Sequence, residues 1–215
     1  MEQSIIGGGA SAPAYRDAGS DVHGISGYLK RLFGTGAREA GEVVGESWLS
    51  EARKSNREAL RRRTEEILRE RKVRDISGLS QNLAIQILKL GQDESRAALV
   101  EIWARLLANA LDPSRNNLRL SFIAIVKQMD PQDVILIRRI VHRGYRAVRD
   151  EAGVAASNEA TISLLASELN LSEDAVIASL EHLEDLGVLA NGSDAFLWET
   201  TSFGREFFRA CYRFR

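Results

Sequence analysis

The chain has 215 residues, of which 44% are hydrophobic and 27% are charged, and its formal net charge is −1. This composition excludes a collagen-like chain and a mostly disordered one. The nearly neutral charge gives no general attraction to nucleic acid or to an anionic membrane. Only three prolines occur, and so few helix breakers favour a mainly α-helical fold.

Three further observations bear on the compartment. Cys211 is the single cysteine, so no internal disulfide can form, which fits a reducing environment. No apolar run approaches the roughly 18 residues that span a bilayer. The first residues show no basic region before an apolar stretch, so we expect no secretory signal. Together these features predict a cytoplasmic protein without a transmembrane segment.

Residues 1–23 are rich in glycine and serine, which predicts a flexible N-terminal segment. From Ile25 to about residue 49 the i, i+3, i+4 pattern predicts a helix that is apolar at one end. At its other end small residues share the face, and we take these as a candidate self-association surface: Gly36, Ala40, Gly41 and Gly45. Insertion of this helix into a membrane surface is the alternative, although nearby charged residues make a spanning helix improbable.

Residues 50–75 are dense in charge, with ten lysines and arginines against six acids. Many opposite charges lie three or four residues apart, as in Glu58–Arg62 and Glu65–Arg69, which predicts an ion-paired helix in solvent. Phosphate contacts by Arg61, Arg62 and Arg63 are the alternative. No aromatic residue lies in this segment to stack on bases, which weakens that reading.

The best apolar pattern follows, and it places Trp103 in a core. One helix is predicted to end at Gly91, and the next to run from near Asp93 to a stop at Asp112-Pro113. Asp130 and Pro131 are predicted to begin a further helix, as N-cap and first helical residue. We therefore expect a helical domain at residues 24–149 and a connector at residues 150–160.

Residues 161–215 have the pattern of a winged helix-turn-helix domain. A short helix and a turn precede a helix that Ser172 caps and that Gly187 ends in a left-handed conformation. A β-hairpin around the Asn191-Gly192 turn forms the wing, and a last helix carries Phe207, Phe208 and a buried Cys211.

The charges of this domain oppose DNA reading. The second helix would enter the major groove, yet it carries five acids and no lysine or arginine. Readers of base edges need arginine, lysine, asparagine or glutamine there. Contact with a protein is the better use, so the candidate interaction surface consists of Glu173, Asp174, Glu181, Glu184 and Asp185.

Several short motifs resemble those of the abortive infection alpha family. A large apolar residue precedes a Leu-Leu-Ala segment, then come an Asp-Pro turn, a Ser-Phe step and a closing Gln-Met-Asp-Pro: Trp103, Leu106-Leu107-Ala108, Asp112-Pro113, Ser121-Phe122 and Gln128-Met129-Asp130-Pro131. Gly187-Val188-Leu189 and Thr201-Ser202-Phe203-Gly204-Arg205 are similar as well. The resemblance covers residues 36–212 and implies a role in bacterial phage defence by abortive infection. It implies no catalytic residues.

The sequence offers no constellation for catalysis. The three histidines are scattered without a second ligand at metal-binding spacing, and the N-terminal glycines lack the residues of a phosphate loop. Acid pairs such as Glu65-Glu66 are expected on solvated helix faces. We therefore predict a protein that is not an enzyme, has no cofactor or metal, and acts in antiphage defence through protein partners, including a second copy of itself. A winged-helix DNA-binding regulator is the alternative, and a membrane-active effector the third hypothesis.

Overall fold

The computed structural model describes residues 25–30, 32–33, 47–74, 76, 81–115, 118–142, 158–191 and 198–212. Within these ranges the chain is mainly helical, with one two-stranded antiparallel hairpin near its C-terminal end. The first helix, α1, covers residues 25–30, and residues 32 and 33 are also helical. The other elements are α2 (Ser47–Glu70), α3 (Gln81–Gly91), α4 (Ala97–Leu111), α5 (Leu120–Gln128), α6 (Pro131–His142), α7 (Asn158–Leu169), α8 (Glu173–Asp185), β1 (Leu189–Asn191), β2 (Trp198–Thr200) and α9 (Ser202–Cys211).

Helix α4 is the centre of the fold. It contacts α2, α3, α5, α6 and α9, and ten of its 15 residues are buried. A helix with so wide an apolar surface has to be covered on most sides, which is why other helices surround it. Trp103 is 2% exposed, so its predicted place in the core is confirmed.

Local signals placed several helix ends correctly. Helix α3 ends at Gly91, α4 ends with Asp112 as its C-cap, and α6 begins at Pro131. The backbone N–H of Asp130 donates to the Asp133 carboxylate over 2.7 Å. A side chain in the first turn of α6 thus accepts the hydrogen bond of the residue that precedes the helix.

Helix α4 begins at Ala97, four residues after the predicted start at Asp93. The intervening residues form a turn instead, in which the Glu94 carboxylate accepts from both the backbone and the guanidinium of Arg96. Likewise α7 begins at Asn158, inside the segment that was predicted to be a connector. The predicted segment 1–23 lies outside the described residues.

The predicted hairpin is confirmed, but its first strand extends to Asn191. Asn191 pairs with Trp198, so it belongs to β1 and does not form a two-residue Asn-Gly turn. Residues 192–197 connect the two strands and lie outside the described residues. In the described residues β2 is Trp198–Thr200, and the predicted strand residues 195–197 lie outside them.

Helix α9 closes the C-terminal part by packing on α4 and on the hairpin. Its Phe207 and Phe208 are fully buried, and Phe122 of α5 lies against Phe203 and Phe207 with ring centroids 5.5 and 5.6 Å away. The aromatic cluster joins the C-terminal elements to the helices that precede them in sequence.

Candidate functional site

The acidic helix α8 is fixed at both ends. The Ser172 hydroxyl accepts from the backbone N–H of Ala175 over 3.2 Å, as its N-cap position requires. Gly187 has a φ of +70°, and Val188 donates back to the carbonyl of Leu183. This is the Schellman arrangement, in which a left-handed residue lets the chain satisfy the last carbonyls. Both predicted caps are confirmed, and α8 is a well-anchored support for its side chains.

All five predicted acids of α8 are exposed, whereas Val176, Ser179, Leu180 and Leu183 are buried. At 100° per residue the acids occupy an arc of about 120°, which adjoins the buried side at Glu173 and turns away from it toward Asp185. We call this arc the acidic face: Glu173, Asp174, Glu181, Glu184 and Asp185. In the part of the chain that the structure describes, no ion pair engages these carboxylates; Glu184 accepts only the backbone N–H of Asn191 over 3.3 Å.

The surroundings of the acidic face are also poor in cations. Strands β1 and β2 contain no lysine or arginine, and Glu199 of β2 is exposed. From residue 158 to residue 212 the sequence has ten acids and two arginines. A surface of this sign repels phosphates.

The three consecutive arginines of α2 do not form a common cationic patch. Arg61 donates to Glu58 and Glu65, and hydrogen bonding to Glu58 raises the pKa of its guanidinium despite the opposing effect of burial. Arg63 donates to Glu101 of α4, which likewise raises its pKa. Arg62 is exposed. Two of the three arginines that could contact phosphate, Arg61 and Arg63, are therefore already paired with carboxylates.

The ion pairs of α2 differ from the predicted ones in two details. Glu58 binds Arg61 three residues on, where the spacing had suggested Arg62. Glu65 was expected in solvent but is 8% exposed, because it lies between Arg61 and Arg69 and binds both. The Glu65–Arg69 pair itself is confirmed, as is the general prediction of an ion-paired helix.

The apolar end of the N-terminal helix faces the core. Leu29 is fully buried, and Leu32 and Phe33 are each 7% exposed. These are the side chains that a membrane-active helix would have to release. The candidate self-association surface of Gly36, Ala40, Gly41 and Gly45 lies outside the described residues.

Buried polar residues form two junctions that the sequence reading missed. The Asn109 side chain of α4 donates to the carbonyl of Ala210 over 2.8 Å and accepts from Arg71 over 2.8 Å. His182 of α8 lies 2.9 Å from the Asp133 carboxylate of α6. An asparagine on the apolar side of α4 was the one visible signal. Its partner is 101 residues away, and so the pairing could not be read from local spacing.

The described part of the chain was also compared with the requirements of a metal site and of a reactive thiol. No three histidine, cysteine or acidic side chains are placed there to hold a metal ion. Cys211 is completely buried, as predicted, and burial raises the pKa of its thiol well above the ordinary value, which leaves it a poor nucleophile. None of the described helices is long and apolar enough to cross a membrane.

A family model described as abortive infection alpha matches residues 52–211. The match begins in α2, ends at the last residue of α9, and so includes the acidic face and both buried junctions. No curated protein and no solved structure matches the chain. Since the family model covers well over half of the sequence and agrees with the motifs around Trp103 and Asp112-Pro113, the chain belongs to the abortive infection alpha family.

Proposed function

We propose that the protein is a non-enzymatic component of abortive infection that binds a partner protein through the acidic face. The observation that carries this proposal is the set of five exposed carboxylates on a helix capped at both ends. A rigid helix keeps such side chains in a fixed arrangement, and their common sign selects a partner with a basic surface.

The order α7, α8, hairpin, α9 supports a winged helix-turn-helix module for residues 161–215. In that module α8 is the helix that would enter a DNA groove. The acidic face makes a basic protein surface a better partner for α8 than a polyanion, because like charges in contact cost free energy. We therefore assign the module to protein contact.

Phage challenge of bacteria that carry the gene tests this function. The wild-type chain is expected to reduce plaque number while infected cultures collapse at high multiplicity of infection, since the infected cell dies before phage release. A variant with Glu181→Gln and Glu184→Gln removes two charges from the acidic face and keeps the side-chain shape. We expect it to lose protection by at least about tenfold, since a charged interface contact is worth roughly 1–2 kcal/mol.

The control is Glu51→Gln, which removes an exposed charge of α2 far from α8 in the sequence. This control should protect like the wild-type chain. Full protection by the α8 variant would show that the acidic face is not used. Failure of the wild-type chain against every phage of a broad panel would remove the abortive-infection role itself. A mobility shift of duplex DNA that weakens steeply with salt would instead support the DNA-binding alternative.

A further inference from the structure

A positively charged surface lies where the C-terminal ends of α2 and α4 meet. The Arg71 side chain donates to the Asn109 side chain of α4 over 2.8 Å and lies 3.5 Å from the buried Asp112 carboxylate. The backbone N–H of Arg115 donates to the carbonyl of Asp112 over 2.9 Å, so the turn after α4 brings Arg115 to the same end of the molecule. We call the four cations at this place the basic end: Arg71, Lys72, Arg74 and Arg115.

Three cations of the basic end are exposed: Lys72, Arg74 and Arg115. Among the residues that the structure describes, no ion pair engages these three side chains. Glu70, the acid at the end of α2, lies 3.7 Å from Arg63 of its own helix. The positive charge of the basic end is therefore available to a partner.

The cations of the basic end also repel one another. Burial lowers the pKa of the Arg71 guanidinium, and the charge of Arg115 lowers it further, while Asp112 opposes both without cancelling them. An anionic surface placed against the basic end would relieve this repulsion.

Lys72 keeps its side chain at a position where glycine is the usual residue. Its φ is +56°, and the backbone N–H of Val73 donates to the carbonyl of Leu68 over 3.1 Å, so Lys72 occupies the left-handed position that ends α2. A side chain in this conformation strains the backbone, and glycine would remove the strain. The chain thus holds an exposed cation here at a cost in backbone strain.

The basic end and the acidic face complement each other, but they do not meet within one chain. Helix α8 packs on α6, α7 and β1, whereas α2 packs on α3 and α4. In the described ranges no ion pair joins a cation of the basic end to a carboxylate of the acidic face. Four cations and five carboxylates therefore match in sign and nearly in number, and a second molecule can bring them together.

We propose that the partner of the acidic face is the basic end of a second copy of this chain. The inference rests on the proposed function, because it names the partner of the surface assigned there. Opposite charges favour this contact and disfavour orientations in which like surfaces meet. Because the two surfaces differ, copies associate head to tail, as a closed dimer or ring or as an open filament.

Sedimentation velocity of the full chain measures this association. At low salt the wild-type mass should rise above the monomer mass of 23.8 kDa as the protein concentration increases. It should return to the monomer mass at about 1 M sodium chloride, because salt screens contacts between exposed charges.

Charge reversal tests the two surfaces. Arg74→Glu with Arg115→Glu reverses two charges of the basic end, and Glu181→Lys with Asp185→Lys reverses two of the acidic face. Each double variant alone should associate at least about a hundredfold more weakly, because like charges then meet. Mixed in equal amounts, the two variants should form a one-to-one dimer, since one intact acidic face and one intact basic end remain between them. Lys54→Glu with Arg62→Glu is the matched control on α2 and should associate like the wild-type chain.

A wild-type chain that stays monomeric at low salt, or an association that neither reversal weakens, would overturn the inference. A monomer that shifts duplex DNA or RNA in a gel, and loses the shift with Arg74→Glu and Arg115→Glu, would assign the basic end to nucleic acid instead. If the reversed variants do not fold by circular dichroism, Lys72→Gly decides, because it removes one cation and also relieves the strained backbone. It should associate about fivefold more weakly without loss of stability; unchanged association contradicts the inference.

Phage challenge separates a failure of this inference from a failure of the proposed function. If the chain is monomeric but Glu181→Gln with Glu184→Gln still loses protection, the acidic face binds another protein, and only the inference fails. If the chain associates as described but that variant protects fully, self-association through these surfaces stands and the proposed function fails.

Discussion

Gly204 permits the closest approach between α9 and the chain that precedes the hairpin. A Cβ atom built at this position would lie 2.0 Å from the carbonyl oxygen of Val188 and 2.9 Å from its carbonyl carbon. Thr201 binds the same stretch, because its hydroxyl donates to the carbonyl of Gly187 over 2.7 Å. The backbone at Val188 cannot move aside without breaking these contacts, so only glycine fits.

We therefore expect Gly204→Ala to lower the free energy of unfolding by about 3 kcal/mol, the upper end of the range for overpacked cores. Urea denaturation followed by circular dichroism measures the change. Gly27→Ala is the matched control, because a Cβ at Gly27 has no neighbour within 4 Å and alanine favours a helix more than glycine. Stability should rise slightly in the control. Equal stabilities of the two variants would show that α9 does not lie against Val188.

An ion pair between Arg63 and Glu101 joins helix α2 to helix α4. The Arg63 guanidinium donates to Glu101 and also to Glu66 of its own helix, while Arg105 binds Glu101 from the next turn of α4. Burial alone would raise the pKa of Glu101. The hydrogen bond from Arg63 and the charges of both arginines together outweigh burial and lower it.

This lowered pKa predicts a contribution to acid sensitivity. The unfolded chain, with an ordinary pKa of about 4.5, binds the proton more tightly than the folded one. The stabilisation is therefore complete above pH 4.5 and is lost as the pH falls through the lower folded value. Glu101→Gln should lose about 1 kcal/mol at pH 7 and should show a shallower loss of stability below pH 4.5. Thermal melts from pH 7 to pH 3 test this, with Glu51→Gln as an exposed control that keeps the wild-type slope.

The ends of helices were predictable from the sequence because the interactions that form them are local. Ser172, Gly187 and Asp112 act within one turn of the helix they end, and the structure confirms all three. The predicted start of α4 was wrong, because Glu94 and Arg96 form a turn and the spacing of apolar residues contains no sign of it. Exposure of the acidic face followed from the helical period. The partner of His182 did not, because no pattern within α8 specifies a residue on α6.

Charge is distributed unevenly over the whole molecule. The net charge of −1 conceals a C-terminal region, residues 158–212, in which acids outnumber arginines by ten to two. The excess of cations lies in α2, where acids of α2 and α4 bind several of them. A global count therefore conceals this asymmetry, which the exposed carboxylates of α8 make most evident.

The C-terminal elements and the preceding helices share one core, which has a thermodynamic consequence. Asn109 of α4 satisfies the carbonyl of Ala210 in the last turn of α9, and Phe122 of α5 packs on two rings of α9. Opening either part would expose these groups in the other. We therefore expect one cooperative unfolding transition, although the sequence predicts two domains.

Single-tryptophan variants that retain Trp103 in α4 or Trp198 in β2 report the two parts separately. Replacing the buried Trp103 lowers the stability of the Trp198 variant as a whole, so the comparison is made within each variant. In each, the urea midpoint by fluorescence should equal the midpoint by far-UV circular dichroism. Adding Phe122→Leu should lower both midpoints together, by about 1 kcal/mol in the free energy of unfolding, because the substitution loosens the shared cluster. A Trp198 fluorescence midpoint below the circular dichroism midpoint of the same variant would mean that the hairpin region unfolds on its own. In that case the contacts between α9 and the helices α4 and α5 would be too weak to couple the two parts.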